Sequence, residues 1–517
     1  MGVRGKARRS RALVGFYLLT ALARGLSAAK EVLLAAVLGT SVWKDALVIA
    51  WTVPTLASSF STETFPALLT PRWAQRRSHP APLLAAMAMG LMGVSAAAML
   101  WPGVLVGWVA PGLAARPGGA ATVAIAVALE RWLAINVALL GGQSLVAARL
   151  NAERRFGWPP GGTCVASLCV LAALAVTRTL PLARRITWIA AGITAGNAVA
   201  LALGMAAWAV RSRGVRARPE GERDANTATR GLRPLAAMTL AMLILNLVPL
   251  AERMAAAGLP AGSLAAYDYA DRLVQWVFSL SVAPFTAVYF TRLSELAGQA
   301  SNPRELGRDA EYGLRLLLNI AIPCGVLLAV FPRLLTRCVF GWGQFQAASL
   351  LSTAPVVAIR GGGMALEGAV YYLLFASYAT GGAGEKLSVA TLLAAVNVPL
   401  AFWWSARWGT EGLAAAHVFA YGVALLWLLR ASAAGARWQG AAWEAARAGG
   451  LSLAPALGMR ALLPEAAVAG RMGGAASCAW AVLAVSGSLA LAGAAAWRWV
   501  PGVAPQARQL WAAQGVA

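Results

Sequence analysis

The sequence predicts an all-α polytopic membrane protein with about 14 transmembrane helices. Of its 517 residues, 59% are apolar and only 12% are charged, which is about half of the roughly 25% typical of soluble domains. A transmembrane helix needs about 20 mainly apolar residues, and stretches of that length recur along the whole chain. This composition excludes a soluble enzyme, a disordered chain, a collagen and a disulfide scaffold.

The predicted helices follow one another with short connections. Their apolar segments are Ala12–Leu38, Ala46–Leu69, Pro82–Ala110, Gly119–Ala148, Gly161–Val176, Ile186–Val210, Leu235–Ala257, Leu264–Tyr289, Tyr312–Leu335, Ala347–Tyr378, Leu387–Trp403, Gly412–Leu429, Trp443–Leu463 and Gly474–Trp497. The first segment is too long for the apolar region of a cleaved signal peptide. Prolines and the Gly361-Gly362-Gly363 triplet inside these segments are either hinges or packing kinks.

The charge balance predicts the orientation in the membrane. The net charge is +24, and the basic residues lie in short connections between apolar segments. This placement indicates that the positive charge sets the membrane topology and contacts anionic lipid, and it argues against nucleic-acid binding. Residues 1–11 hold five basic residues and no acid, and residues 211–233 hold seven Arg and three acids. We therefore expect both termini in the cytoplasm.

Cysteine and histidine usage offers little chemistry. The cysteines are best interpreted as small buried apolar residues, with disulfides or a metal as the alternative; they are Cys164, Cys169, Cys324, Cys338 and Cys478. With only two histidines in the chain, no metal site and no His-based catalytic group is expected. A nucleotide-binding Gly-x-x-x-x-Gly-Lys-Ser/Thr motif is missing from the sequence, so we expect no ATP hydrolysis by this chain. Nothing in the sequence resembles a catalytic constellation, and we expect no cofactor and no enzymatic activity.

An internal repeat predicts two lobes. Gly39 and Asp45 recur as Gly262 and Asp268, and both offsets are 223 residues. Six predicted helices lie within this offset, so the two copies run parallel, as in transporters that bind substrate between their lobes. We expect an N-lobe at residues 1–210, a basic cytoplasmic linker at 211–233, a C-lobe at 234–433, and two C-terminal helices with a tail at 434–517.

Charged residues inside apolar segments are the candidate functional groups, since each costs at least about 2.5 kcal/mol in a bilayer. Arg24, Lys30 and Glu31 lie in the first segment. Asp268, Asp271 and Arg272 lie in the eighth, with Asp268 and Arg272 at pairing distance along a helix. Further candidates are Glu63, Arg131, Glu252, Arg253, Arg360 and Glu367. The alternative is that these groups form ion pairs that lock helices together.

Several of these stretches resemble the MurJ (MviN) family of the multidrug/oligosaccharidyl-lipid/polysaccharide exporter superfamily. The resemblance covers about residues 12–433. It is carried by Ala23–Glu31 through Gly39, Asp45 and Pro54, by Asn151–Phe156, by Gly262-Ser263 with Tyr269–Leu273, by Phe340–Phe345, and by Asn397 with Gly412–Ala414.

The resemblance implies a flippase for a polyprenyl-diphosphate-linked sugar such as lipid II, in the bacterial inner membrane. The family's cavity arginines correspond to Arg24 and Arg272, and its second basic position to Lys30; Arg253 is a further substrate-binding candidate. A family arginine is replaced near Ser58-Ser59, and an acid in some members is replaced by Ala401. These departures leave a flippase for an exopolysaccharide or another lipid-linked glycan as the alternative. A drug/cation antiporter and a membrane transferase are weaker alternatives.

The expected mechanism is alternating access. A cavity lined by cationic groups binds the diphosphate, and the energy comes from the membrane potential or a cation gradient, which supplies about 2.3 kcal/mol per charge at 100 mV. The candidates for coupling or gating are Glu31, Asp45, Glu63, Glu252, Asp268 and Asp271. The expected partners are an anionic lipid-linked glycan and membrane lipids, and we expect a monomer that binds no nucleic acid.

Overall fold

The computed structural model describes residues 3–74, 81–153, 157–212, 225–299, 303–379, 383–431, 439–464, 467 and 471–499. These residues are helical with short connections and contain no β-strand. The basic 213–224 stretch, at the centre of the expected linker, lies outside them. The contacts between residues divide the chain into two compact units, Met1–Ala265 and Ala266–Ala517.

The first unit contains nine helices of the described part of the chain and the first turn of a tenth. They are α1 (Val3–Leu38), α2 (Val42–Ala74), α3 (Ala81–Leu100), α4 (Pro102–Val109), α5 (Gly119–Leu133), α6 (Asn136–Ala152), α7 (Trp158–Val176), α8 (Leu182–Ser212), α9 (Ala225–Ala257) and α10 (Ser263–Gln299). Helix α2 packs against α5, α6 and α9, and α7 packs against α1 and α8. The expected lobe division assigned α9 to the C-lobe; that division stays a prediction.

The second unit holds the rest of α10 and the later helices. These are α11 (Pro303–Val330), α12 (Pro332–Phe340), α13 (Ala347–Ala379), α14 (Ala383–Ala431), α15 (Gln439–Leu462) and α16 (Gly474–Trp499). Helix α13 packs between α11 and α14, while α15 packs against α11 and α16 packs against α12 and α15. Aromatic side chains of α10, α12 and α13 fill the spaces between these helices.

Each apolar segment of the sequence coincides with a helix, a pair of helices or half of one. The third segment bends by 95° between α3 and α4, where Pro102 starts a new helix. The eleventh and twelfth segments share α14, which is broken at Trp408 and Gly409; Gly409 has φ of 58°, a value that favours glycine.

The helices of the described residues include several that can cross a membrane. Seven helical segments are long and apolar enough, and α3 with α4 makes an eighth if the bent pair counts as one span. The all-α membrane fold is therefore confirmed, and the number of 14 spans stays a prediction.

The glycine triplet of α13 lies at two close helix contacts. A Cβ added to Gly361 would overlap Leu328 of α11, and a Cβ added to Gly363 would overlap Val418 of α14. Gly325 of α11 also lies close to Gly361, because a Cβ added to Gly325 would be 2.7 Å from the Gly361 carbonyl oxygen. The triplet thus lets three helices pack closely, as small residues do in membranes.

Candidate functional site

Arg24 lies in an open cleft of the first unit. Its exposed side chain lines a cleft of about 520 Å³ formed by α1, the end of α6 and the start of α7. The polar groups that line the cleft with it are Thr20, Ser27, Asn151 and Thr163. A guanidinium beside neutral donors can bind the oxygens of a phosphate or diphosphate through charge-assisted hydrogen bonds.

About two turns further along α1, Lys30 and Glu31 belong to a cluster of charges. The Nζ atom of Lys30 is 3.2 Å from Oε1 of Glu31, and Nζ of Lys44 on α2 is 3.9 Å from Oε2. Glu31 and Lys44 are buried, whereas 24% of the Lys30 side chain is exposed. Two cations thus surround one carboxylate, and Lys30 is the member that reaches solvent.

Asp45 and Arg116 form a buried ion pair, which we call the Asp45–Arg116 clamp. Nη2 of Arg116 is 3.1 Å from Oδ2 of Asp45. The Asp45 carboxylate accepts hydrogen bonds of 2.8 Å from the backbone N–H groups of Gly262 and Ala265, and so caps the start of α10, where a negative charge is favourable.

Arg116 completes the clamp at the end of α9. Its Nη1 atom donates to the carbonyl oxygens of Ala257 and Leu259, at 3.3 and 2.9 Å. One ion pair therefore bonds to the last carbonyl group of α9 and to N–H groups at the start of α10, where a helix leaves backbone groups without partners.

Three further candidates lie near these groups or on the same helices. Glu252 is buried and Arg253 is half-buried, both in the last two turns of α9. Glu63 lies on α2, but its side chain is outside the described part of the structure. The roles of these three residues stay predictions.

In the second unit, Arg272 pairs with Asp268 along α10, as the sequence spacing predicted. The Nε atom of Arg272 is 2.9 Å from Oδ2 of Asp268, and 28% of the Arg272 side chain is exposed. The neighbouring Asp271 instead pairs with the buried Arg360 of α13. The two acids of α10 therefore have different basic partners, and Arg272 keeps solvent access.

The position of this part of α10 is fixed by aromatic packing. Tyr269 is fully buried, and its ring centroid lies 5.2 Å from that of Phe340 and 5.6 Å from that of Phe345. Trp276, two turns further along α10, is 5.8 Å from Phe340. Arg272 thus extends from a well-packed helix.

A second polar cluster joins α10, α13 and α14. Nε2 of Gln275 donates to Oε1 of Glu367 at 3.0 Å, and Nε2 of His417 is 3.6 Å from Oε2 of the same carboxylate. His417 stacks on Tyr421 with ring centroids 4.6 Å apart. Glu367 and Arg360 thus join helices to one another, as the interpretation of locking ion pairs expects.

Sequence reasoning missed Lys44 and the role of Arg116. Lys44 directly precedes Asp45, and a basic residue at that place could have suggested a partner for Glu31. Arg116 lies in the connection between two predicted segments, and nothing in the sequence links it to a carboxylate 71 residues away. Among the described residues, no group of three or more His, Cys, Asp or Glu could hold a metal ion.

Known proteins resemble this chain in sequence. The family model described as "Lipid II flippase MurJ" matches residues 34–466. A curated relative, the lipid II flippase MurJ of Burkholderia cenocepacia, is 25% identical over 381 residues, which cover 68% of this chain and 70% of the relative.

Solved structures show the same fold. The lipid II flippase MurJ in an inward closed conformation matches with a TM-score of 0.77 and 14% identity, over 94% of this chain and all of the other. An inward-facing multidrug resistance MATE transporter of the MOP superfamily matches with a TM-score of 0.62 and 13% identity, over 80% of this chain and 94% of the other. The family model covers most of the chain, and the chain therefore belongs to the MurJ lipid II flippase family.

Proposed function

We propose that the chain is a flippase that moves a polyprenyl-diphosphate-linked sugar precursor, lipid II or a close analogue, across the bacterial cytoplasmic membrane for peptidoglycan synthesis. Membership of the MurJ family is the observation that carries this proposal. The cleft around Arg24 and the solvent-accessible Arg272 supply the cationic groups that a diphosphate requires. The chain acts as a transporter and not as an enzyme.

The substrate-binding groups in this proposal are Arg24, Lys30, Arg253 and Arg272. Arg24 and Arg272 both bind the diphosphate, while the lipid tail stays in the bilayer and the sugar moves through water. The open cleft around Arg24 supports its assignment, since a cation that served only to lock helices would be buried against an acid. Lys30 and Arg272 have a weaker case, because Glu31 and Asp268 offset their charges in part.

Transport proceeds by alternating access, driven by the membrane potential or a cation gradient. Of the coupling or gating candidates, Glu31, Asp268 and Asp271 each form an ion pair, so a change in their protonation would release a basic partner. Asp45 is a gating candidate because it caps α10. Glu63 and Glu252 remain candidates by their position in apolar helices.

The proposal includes the orientation and the oligomeric state. Both termini face the cytoplasm, as the basic residues 1–11 and 211–233 indicate, and the protein works as a monomer. Labelling of a single cysteine at position 220 in intact cells and in opened cells tests the orientation. Labelling of position 220 in intact cells would mean that this segment lies outside the cytoplasm, contrary to the proposed orientation.

The test of function is complementation in cells depleted of their own lipid II flippase. Wild-type protein is expected to prevent lysis, whereas Arg24→Ala and Arg272→Ala are expected to fail at equal membrane abundance. Arg178→Ala is the matched control, because Arg178 is exposed in the turn between α7 and α8, outside the cleft. Rescue by both alanine variants at wild-type level would contradict the assignment of these two arginines to the substrate.

A second candidate substrate is a different lipid-linked glycan. It is favoured by Ser59, which is exposed on α2 and donates to the Thr55 carbonyl oxygen where the family resemblance expects an arginine. Ala401, fully buried on α14, likewise replaces an acid. This candidate would be favoured if the wild-type chain failed to prevent lysis of the depleted cells but bound another polyprenyl-diphosphate glycan.

A further inference from the structure

Two cysteines far apart in the sequence meet in the second unit. Cys338 lies on α12 and Cys478 on the first turns of α16, and their Sγ atoms are 2.7 Å apart. The Sγ atom of Cys478 is also 3.3 Å from the carbonyl oxygen of Cys338. All five cysteines are described, and this is the pair whose thiols are in contact.

Packing around the two cysteines holds them in place. An apolar cluster joins α11, α12, α15 and α16, and Cys338 packs against its edge. Two arginines add hydrogen bonds to the backbone across this cluster. Nε of Arg337 donates to the Met472 carbonyl oxygen at 3.0 Å, and Nη1 of Arg460 donates to that of Val330 at 3.4 Å. The contact between the thiols is therefore a feature of the packed helices.

The chemistry open to the pair depends on the side of the membrane. With a cytoplasmic N-terminus, the connections after the ninth and thirteenth predicted helices face outward, and these are the ends that carry Cys338 and Cys478. The space outside the bacterial cytoplasmic membrane is oxidising, so disulfides form and persist there. Both side chains are only partly buried, which leaves access for an oxidant.

We propose that Cys338 and Cys478 form a disulfide bond that fastens the C-terminal helix pair to α12. The oxidant is the disulfide of an exported thiol oxidoreductase. The Cys338 thiolate attacks one sulfur of that disulfide, forms a mixed disulfide and releases the other sulfur as a thiolate. The Cys478 thiolate then attacks the Cys338 sulfur and releases the second donor sulfur. The chain loses two protons and two electrons, and the donor disulfide becomes a dithiol.

Little movement is needed to form the bond. An S–S bond is about 2.05 Å long, so the sulfur atoms approach by less than about 1 Å from the distance in the structure. The bond would close a loop of 140 residues and join α16 to the helix whose Phe340 packs against Tyr269 and Trp276 of α10.

The test counts free thiols in the full-length protein. Cells that express the chain are quenched with acid, the membranes are dissolved in SDS, and free thiols are labelled with a 5-kDa polyethylene glycol maleimide before or after reduction. Wild-type protein is expected to gain three labels without reduction and five after it. Cys338→Ser and Cys478→Ser are each expected to gain four labels under both conditions.

Two controls and a second measurement complete the test. The single variants Cys164→Ser and Cys324→Ser both keep the Cys338–Cys478 pair. Each is expected to gain two labels without reduction and four after it. Reductant is expected to lower the melting temperature of the purified wild type and to leave that of Cys338→Ser/Cys478→Ser unchanged. Five labels on unreduced wild type, or a reduction-dependent difference that survives in Cys338→Ser, would overturn the proposal. Neither result bears on transport of a lipid-linked substrate.

Discussion

Asp45 and Asp268 occupy equivalent places in the two copies of the repeat, yet their surroundings differ. Each lies six residues after a glycine with positive φ, Gly39 at 53° and Gly262 at 87°. Asp45 is buried and binds two backbone N–H groups and Arg116. Asp268 pairs with the solvent-accessible Arg272 of its own helix.

Because of this difference, we expect Asp45 to act mainly in stability and Asp268 mainly in substrate binding. The Asp45 carboxylate bridges helix ends, so its loss leaves buried donors without acceptors. The Asp268 carboxylate lies beside a cation that we assign to the substrate, so its loss changes the charge offered to a diphosphate. Two positions that the sequence repeat predicts to be equivalent thus have different surroundings, one between helix ends and one beside a partly exposed arginine. The following predictions test this separation, from the largest expected effect to the smallest.

Asp45→Ala is expected to cost the most stability, about 3–5 kcal/mol, because it leaves Arg116 buried without its counter-ion. The N–H groups of Gly262 and Ala265 lose their acceptor as well. The measurements are the yield of monodisperse protein in detergent and its melting temperature. Asp45→Asn keeps one acceptor oxygen and should be milder. A normal melting temperature for Asp45→Ala would contradict the structural role.

Arg116→Ala is expected to cost about 2–3 kcal/mol, since Asp45 keeps its two backbone hydrogen bonds while the carbonyl oxygens of Ala257 and Leu259 lose a charged donor. Thermal unfolding of the single variants and of the double variant with Asp45→Asn measures their coupling. Strict additivity would show that the two residues do not act as a pair. Arg131→Ala, exposed on α5, is the control and should be neutral.

Gly39→Ala is expected to cost about 1–2 kcal/mol, because its positive φ is unfavourable for other residues. Gly262→Ala should cost more, since its added Cβ would also lie 2.6 Å from the Thr40 carbonyl oxygen. Melting temperatures rank the two variants. Equal losses would mean that this close contact relaxes easily.

Asp268→Asn is expected to change the free energy of unfolding by only about 1 kcal/mol or less, since ion pairs with a partly exposed partner contribute little. Its effect should appear in transport, as an altered rate or an altered dependence on membrane potential. The comparison is with Asp45→Asn in the same transport assay, at matched amounts of folded protein. If Asp268→Asn lowered the melting temperature strongly and left transport normal, Asp268 would have a structural role, contrary to our assignment.

Much of the fold could be predicted because apolar length is a local property of the sequence. Each predicted segment coincides with helix, and the Asp268–Arg272 pair follows from spacing on a single helix. The 95° bend between α3 and α4 was missed. Pro102 could have signalled it, but a proline near a helix start does not by itself give an angle.

The remaining contacts could not be predicted, because they join residues that are distant in sequence. Arg116 bonds to Asp45 and to the end of α9, 141 residues further along. Asp271 turned out to pair with Arg360, although Arg272 is its neighbour. An acid in a helix can reach several basic residues, and only the packing of helices decides among them.

The close packing of α13 limits how its part of the molecule can deform. Because a Cβ on Gly361 or Gly363 would overlap Leu328 or Val418, the close contacts of α13 with α11 and α14 depend on glycine at these two positions. Each of these three helices nevertheless contains one internal proline, Pro323, Pro355 or Pro399. A proline removes a backbone hydrogen bond inside a helix and favours a bend there, so we expect the three closely packed helices to bend together at these prolines.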